Sequence, residues 1–283
     1  MVDFEIAAVG DNCIDRFTGA ANFSLVGGNA VNVAVQLSRL GRRAAYFGAV
    51  GNDAAGRRVL DGLARNRVDT GFVRIENGVT AYTEVERNET GDRRFVFEEF
   101  GVVKDYRPNT EEMEVLAKTR LVHIGWLNDG GAVRRTMHER MVSVSQDISV
   151  NAEARNLEVA ALDIAFASLD GPLEEAIRLG ARLIASGAKL AVITRGAQGS
   201  LATDGQSYTE IKAVHITAVD TTGAGDAFIA GFLDGRLKAL PLGQCLENGR
   251  DAATDACLHL GGFRQPLIAM GGDPRDCVKQ RSN

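Results

Sequence analysis

Two rhythms of hydrophobic and polar residues alternate along the chain. Residues 4–9 form a short apolar run closed by Gly10-Asp11-Asn12, which predicts a strand. Ala30, Val33, Ala34, Leu37 and Leu40 then recur at helical spacing, and Gly41 stops that helix. Residues 44–50 (AAYFGAV) read as a buried strand. Residues 54–66 read as a helix with Val59, Leu60 and Leu63 on one side. After residue 120 the same alternation returns. Strands are expected at 121–124, 144–149, 164–167, 190–194 and 214–219, with helices at 131–141, 156–162, 173–186, 224–239 and 242–260. Strands alternating with helices predict a mostly parallel sheet covered on both faces.

One stretch departs from this rhythm. Residues 79–86 (VTAYTEVE) and 93–100 (RRFVFEEF) are rich in β-branched and aromatic residues and flank the turn sequence Asn88-Glu-Thr-Gly-Asp92. They predict a hairpin, placed either at a sheet edge or as a flap over a site. A second hairpin is expected at 199–210 around Asp204-Gly205, and the tail from Leu267 reads as loosely attached. No long linker, repeat or low-complexity tract interrupts the chain. The organisation expected is one main domain over residues 1–266, with 79–100 as an insert, and a tail over 267–283.

Composition narrows the class. The 283 residues include 32 glycines but only 5 prolines, which argues against disorder and for a fold with many tight turns. The net charge of −5 lacks the basic stripe of a nucleic-acid binder, so no nucleic-acid partner is expected. Cys13, Cys245, Cys257 and Cys277 show no CxxC spacing, and the four histidines do not cluster with them, so neither zinc nor a disulfide framework is expected. The acidic N-terminus lacks the basic region of a signal peptide, and no apolar run is long enough to span a membrane. A cytoplasmic protein with no membrane partner is the expectation.

The densest chemical signal is Val219-Asp-Thr-Thr-Gly-Ala-Gly-Asp-Ala-Phe228, between an expected strand and an expected helix. A glycine turn opening a helix presents backbone N–H groups and the positive end of the helix dipole, which suits phosphate. Gly223 and Gly225 allow a ligand close to the backbone. Asp226 has two readings. A first-turn acid ordinarily complements the dipole. Beside a phosphate cradle it would repel the ligand, which makes more sense if it takes a proton from an attacking hydroxyl. The P-loop pattern does not occur, and Gly223-Ala-Gly225 lacks the third glycine of a dinucleotide fingerprint, so a dehydrogenase is disfavoured.

Two weaker signals lie elsewhere. Val26-Gly-Gly-Asn-Ala-Val-Asn32 places paired glycines at a strand-to-helix junction, either as a plain turn or as a ligand contact. Asn29 there suits an N-cap, and Asn32, one turn on, suits a sugar hydroxyl. Asp15 stands just beyond the end of the first strand, where parallel sheets bind ligands, though a solvated loop acid is its ordinary role. Val192-Ile-Thr-Arg-Gly-Ala-Gln-Gly-Ser200 is a buried strand ending in two glycines.

Together these segments resemble the ribokinase-like (PfkB) carbohydrate kinases, in that family's order and over residues 4 to about 266. DTTGAGDAF at 220–228 is the most specific of the matches, followed by GGNAVN at 27–32 and VITRGAQGS at 192–200. Within the family, GDNCID at 10–15, DIAFAS at 163–168 and TTGAGDAFIAGFL at 221–233 are most similar to the branch of fructoselysine 6-kinases.

The resemblance implies a ribokinase-like α/β fold: a mostly parallel central sheet, helices on both faces and the 79–100 hairpin as a lid. It implies transfer of the γ-phosphate of ATP to a primary hydroxyl of a sugar-type substrate, with fructoselysine or another fructosamine at O6 as one candidate. Asp226 would be the base, and the N–H groups of Gly223, Ala224 and Gly225 the anion hole. Asp15, Gly27, Gly28 and Asn32 would hold the sugar. Thr194, Gly196, Gly199 and Thr221 would border the nucleotide. Asp220 and Thr222 match positions that hold a monovalent cation, such as K⁺, in some members. In some relatives lids pair between subunits, so a homodimer through the lid is a further expectation. The family's Asn-x-x-Glu motif, which helps place Mg²⁺, is altered here. Ser168 stands near the missing asparagine, and Glu175 is the carboxylate carried over for the metal, although first-turn helix acids are commonly only that. The alternatives are a nucleoside, ribose or fructose kinase of the same family and a non-catalytic sensor of sugar or nucleotide on the same fold.

Overall fold

The computed structural model describes residues 4–19, 22–87, 93–151 and 153–270. In chain order its elements begin with β1 (Ile6–Val9), β2 (Cys13–Gly19), β3 (Phe23–Gly27), α1 (Asn29–Arg39), β4 (Ala44–Gly51), α2 (Ala54–Arg65) and β5 (Val73–Glu76). Then come β6 (Tyr82–Arg87), β7 (Arg93–Glu99), α3 (Thr110–Leu116), β8 (Leu121–Ile124), α4 (Ala132–Glu139) and β9 (Ser143–Asp147). The rest are β10 (Ile164–Ser168), α5 (Leu173–Ala185), β11 (Ala191–Thr194), β12 (Ser200–Thr203), β13 (Tyr208–Ile211), α6 (Ala224–Leu237), α7 (Leu242–Ala256) and β14 (Ile268–Ala269).

The larger sheet has the order β13-β12-β11-β10-β9-β8-β1-β4-β5. Its strands from β11 to β5 run parallel, and β12 and β13 return antiparallel at one edge. β1 and β4 are buried at every position, as expected where helices cover both faces. On one face Ile6, Leu121, Phe166 and Val192 pack with α1, α6 and α7. On the other, Val9, Val122, Ala165 and Ile193 pack with α3, α4 and α5. α6 is buried from Ala227 to Gly235, so it is apolar on nearly all sides and fills the centre of its layer.

The second sheet has the order β14-β3-β2-β6-β7. β2 runs parallel to β6, and the other pairs are antiparallel. Phe17 stacks on Phe23 at 4.8 Å and joins Leu25 and Val85 in a small apolar cluster on the face toward Leu260. Arg16 and Tyr82 lie on the opposite face, with the guanidinium carbon 3.6 Å from the ring centroid.

The hairpin expected at 79–100 exists as β6 and β7, but it is two strands of a five-stranded sheet. Its turn, 88–92, lies outside the described residues. Asp15 is not a loop acid; it sits in the middle of β2. Ile268–Ala269, in the segment read as loosely attached, pairs with β3 and adds an edge strand, while residues 271–283 lie outside the described residues. No strand forms at 214–219; the sheet ends at β13, and the Val219 N–H donates instead to the Cys257 carbonyl just past α7 at 2.8 Å. The helix expected at 156–162 is a single 3₁₀ turn at Ala154–Asn156. β2, β3, β5 and α3 were not anticipated.

The layer of α6 and α7 depends on one close approach. A Cβ on Gly231 would lie 2.4 Å from the Asn248 carbonyl oxygen of α7. Gly231→Val is therefore expected to destabilise the protein by about 3 kcal/mol, since the helix-propensity gain over glycine is under about 1 kcal/mol. Chemical denaturation measures this, and an unchanged midpoint would contradict the tight α6–α7 contact.

Candidate active site

The carboxyl ends of the parallel strands and the N-termini of α1 and α6 converge on one cavity edge, the usual ligand position in such sheets. The chain leaves β1 through Asp11, whose carboxylate accepts the N–H groups of Asn29 (2.8 Å), Ala30 (3.1 Å) and Trp126 (3.2 Å). Asp11 thus caps α1 from outside the helix. Gly28 occupies the N-cap position and has no side chain to do so. Gly28 has φ +104°, and a Cβ there would lie 2.5 Å from Asn12 Cα, so only glycine allows this crossing. Burial raises the Asp11 pKa above its ordinary value, against the lowering effect of these backbone bonds.

With capping supplied by Asp11, the Asn29 side chain is free for another task. Its Nδ2 donates to Asp226 Oδ1 at 2.6 Å and to Asp147 Oδ2 at 3.0 Å. One helical turn on, Asn32 Nδ2 donates to Asp226 Oδ2 at 2.7 Å. Asp226 is half-buried in the first turn of α6 and receives an amide on each oxygen. Removal from water pushes its pKa up to about 8. The negative Asp147 and Asp11 push the same way, and the two asparagine bonds oppose them. Asp147, at the end of β9, also accepts the N–H and hydroxyl of Ser149 at 2.9 and 2.5 Å.

The glycine turn before α6 is held by Asp220. One carboxylate oxygen accepts Thr222 N–H and Thr222 hydroxyl, both at 2.9 Å, and the other accepts Gly261 N–H at 2.9 Å. Gly223 has φ +74°, and a Cβ there would meet Gly262 Cα at 2.3 Å. Ala224 N–H donates to Thr221 O at 3.2 Å. Gly225 opens onto empty space, with nothing within 4 Å of a Cβ built on it.

That space continues into a cleft of about 400 Å³. Thr194, Gly196, Gly199, Thr221, Ala224 and Gly225 line it, so the cleft gathers every residue expected to border a nucleotide. Val214 and Ile216, from the segment misread as a strand, form part of its apolar wall. Lys212, His215 and Arg250 also line it, and among the described residues no carboxylate does. Ser168 reaches this cleft, but Glu175 does not. Glu175 is exposed, lies 3.8 Å from Arg178, and borders a separate surface depression. Among the described residues no three His, Cys, Asp or Glu side chains are grouped to hold a metal ion, and no helix is long and apolar enough to cross a membrane.

Asp15 lies on β2 of the second sheet, opposite Thr83 of β6. Cys13 Sγ donates to its Oδ1 at 3.2 Å. Burial first, then negative Asp15 and Asp11, hold the Cys13 thiol well above its ordinary pKa. Gly27 pairs with Cys13 across the sheet, and a Cβ on it would lie 2.4 Å from Asp15 Oδ2. The missing side chain at Gly27 is what makes room for that carboxylate. Asp11, Asn29 in its observed role, and Asp147 were missed from sequence. Asp147 did carry a usable signal, an acid at the carboxyl end of an expected buried strand, the position that drew attention to Asp15.

The sheet order and the smaller second sheet define a ribokinase-like α/β fold. A ribokinase of Arabidopsis thaliana, solved with ribose and ATP, superposes with a TM-score of 0.82 over 91% of this chain and 94% of that one, at 20% identity. The family model for pfkB family carbohydrate kinases matches residues 21–149 and 151–264, and the chain belongs to that family. It is 35% identical over 262 residues to a fructoselysine 6-kinase of Shigella flexneri, covering 91% of this chain and 99% of the relative. It is 30% identical over 273 residues to a fructosamine kinase of Bacillus subtilis, covering 92% and 93%.

The open space at Gly225 separates fold from function. Gly225→Leu should keep the thermal midpoint close to that of the wild type, because the protein offers no clash. It should weaken binding of a non-hydrolysable nucleoside triphosphate at least about tenfold, because the added side chain projects to where phosphate would lie. Calorimetric titration measures the second effect, and undiminished binding would place the phosphates elsewhere.

Proposed function

We propose that this kinase transfers the γ-phosphoryl group of ATP to the O6 hydroxyl of a fructosamine such as fructoselysine, with Asp226 as general base. The observation that carries the reading is the Asp226 carboxylate, gripped by Asn29 and Asn32, beside the open glycine turn that leads into the cleft. The nucleotide occupies the cleft, its base against the apolar wall and its phosphates at the N-terminus of α6. The sugar lies between Asp15 and Asp226. Asp226 takes the hydroxyl proton as the oxygen attacks the γ-phosphorus, the bond to the β-phosphate oxygen breaks, and ADP leaves. The N–H groups of Gly223, Ala224 and Gly225 meet the charge on the transferring group. The β6–β7 lid excludes water, the competing acceptor. Mg²⁺ arriving with the triphosphate would neutralise phosphate charge, and a cleft without a cage of carboxylates suits an ion held mainly by phosphate and water.

Charge supports the fructosamine. The walls of the cleft carry basic side chains, while the sugar side gathers Asp11, Asp15, Asp147 and Asp226. A fructosamine carries a protonated amine, which an acidic pocket favours and a neutral ribose or fructose does not exploit. The likeness to a fructoselysine 6-kinase spans nearly that whole relative. In a coupled ADP-release assay, fructoselysine is expected to exceed ribose, fructose and adenosine by at least about 100-fold in kcat/KM, about 2.7 kcal/mol of discrimination. Equal rates across the panel would remove the substrate assignment while leaving the kinase.

The base assignment predicts both a rate and a stability effect. Asp226→Asn should lower kcat by at least about 10³-fold with nucleotide affinity nearly unchanged. In the wild type, kcat/KM should rise with pH and level off above about 8, where free Asp226 loses its proton. The sign for stability is the reverse. Between the ordinary value of 3.8 and about 8 the folded protein holds a proton that the unfolded chain has released, so this group's contribution to stability falls as pH rises through that window. Asp226→Asn should therefore raise the thermal midpoint more at pH 9 than at pH 5. Full turnover in the variant would end the assignment.

A further inference from the structure

Asn29 is used in an unusual way for a residue opening a helix. Both hydrogens of its amide are spent on carboxylates, one on Asp226 and one on Asp147, 118 positions away in the chain. Its own Oδ1 is buried and has no protein partner among the described residues. A buried carbonyl left unpaired costs about 1–3 kcal/mol, so packing alone does not favour this arrangement. The amide orientation follows from its surroundings. Turning it over would aim the carbonyl oxygen at two carboxylates. Asp147 is itself held by Ser149, and the Asn29 backbone is held by Asp11. The result is a rigid strut from β9, through the first turn of α1, to the first turn of α6.

We propose that Asn29 is a positioning residue that acts through Asp226: anchored on Asp147, its amide fixes the base's Oδ1 and keeps that carboxylate able to give up its proton. Asn32 makes the matching bond to Oδ2, and Asn29 alone of the two is also anchored on Asp147. The groups that face Asp226 are the amides of Asn29 and Asn32 from α1, Asp147 from the end of β9, and Asp11 from the loop after β1. The two acids disfavour ionisation and the two amides favour it, so the base is tuned by opposed neighbours. This rests on the reading of Asp226 as the base.

The test is the pH profile of kcat/KM. Asn29→Ala leaves the net charge unchanged and removes one donor, so the acid limb should move up by about one pH unit. The variant should lose about tenfold at pH 7 and regain most of it at pH 9.5. Asp147→Asn keeps an acceptor for Asn29 but withdraws a negative neighbour, so the limb should move down. A loss in Asn29→Ala that is equal at every pH, or an unmoved limb in Asp147→Asn, would overturn the proposal. If Asn29→Ala does not fold, Asn29→Ser, whose hydroxyl is too short to span both acids, carries the same expectation. Asp226→Asn separates the two levels. If that variant turns over normally, the base reading has failed. If it is dead while Asn29→Ala keeps the wild-type profile, only the role of Asn29 has failed.

Discussion

The site depends on one interaction, the grip of two asparagine amides in the first turn of α1 on the carboxylate in the first turn of α6. It fixes how two helix N-termini meet at the end of the sheet. Both helices belong to the layer that packs on Ile6, Leu121 and Phe166, so the core sets their separation and the amides set the final geometry. The α1 turn can serve this way only because its capping is delegated to Asp11 and its entry crosses Gly28. Asn29 stands at the first helical position, after the N-cap Gly28, so its backbone N–H goes to Asp11 while its side chain reaches Asp226. The first turn of α1 is thereby left to hold the half-buried acid of α6.

The electrostatic arrangement follows from the same demand. The chain carries a net charge of −5, and its field gives no general help in binding a polyanion. The structure divides the problem between two adjoining spaces. The cleft that would receive phosphates is lined by Lys212, His215 and Arg250 and by bare backbone. The acids gather beside it, where each is paired with donors: Asp11 with three backbone N–H groups, Asp147 with Ser149 and Asn29, Asp226 with two amides. Asp226 stands between the cleft and this acidic group, the place that its proposed role as base requires.

The parallel sheet was legible because burial on both faces leaves near-continuous apolar runs, as in β1, β4 and β11. The clasping sheet was only half legible. β6 and β7 have the β-branched and aromatic content of strands, but β2 reads CIDRFTG, where an acid and a cation on opposite faces blur the alternation. Val214 and Ile216 misled for the opposite reason. Their alternation reflects a wall facing a ligand cleft, not a sheet face. The site divides along the same line. Asp226, Asn32, Gly223 and Gly225 stand in short motifs whose local chemistry is unusual enough to be seen. Asp147 and the true role of Asn29 exist only as a contact between distant segments, and no window along the chain contains both.

That difference bears on how Asp226 would work as the proposed base. A motif read locally gives Asp226 as an acid at a helix N-terminus, a setting that by itself favours the ionised form and a low pKa. The assembled site does the reverse, raising it to about 8 by removing it from water and setting Asp147 and Asp11 nearby. A carboxylate at its ordinary pKa would be a weak base toward a sugar hydroxyl. As the proposed base, Asp226 would gain from the raised value a stronger hold on the proton it takes, while the two amides limit the rise and so enlarge the ionised fraction near neutral pH. The opposed neighbours are therefore parts of one setting, and removing either kind should impair the enzyme in a different pH range.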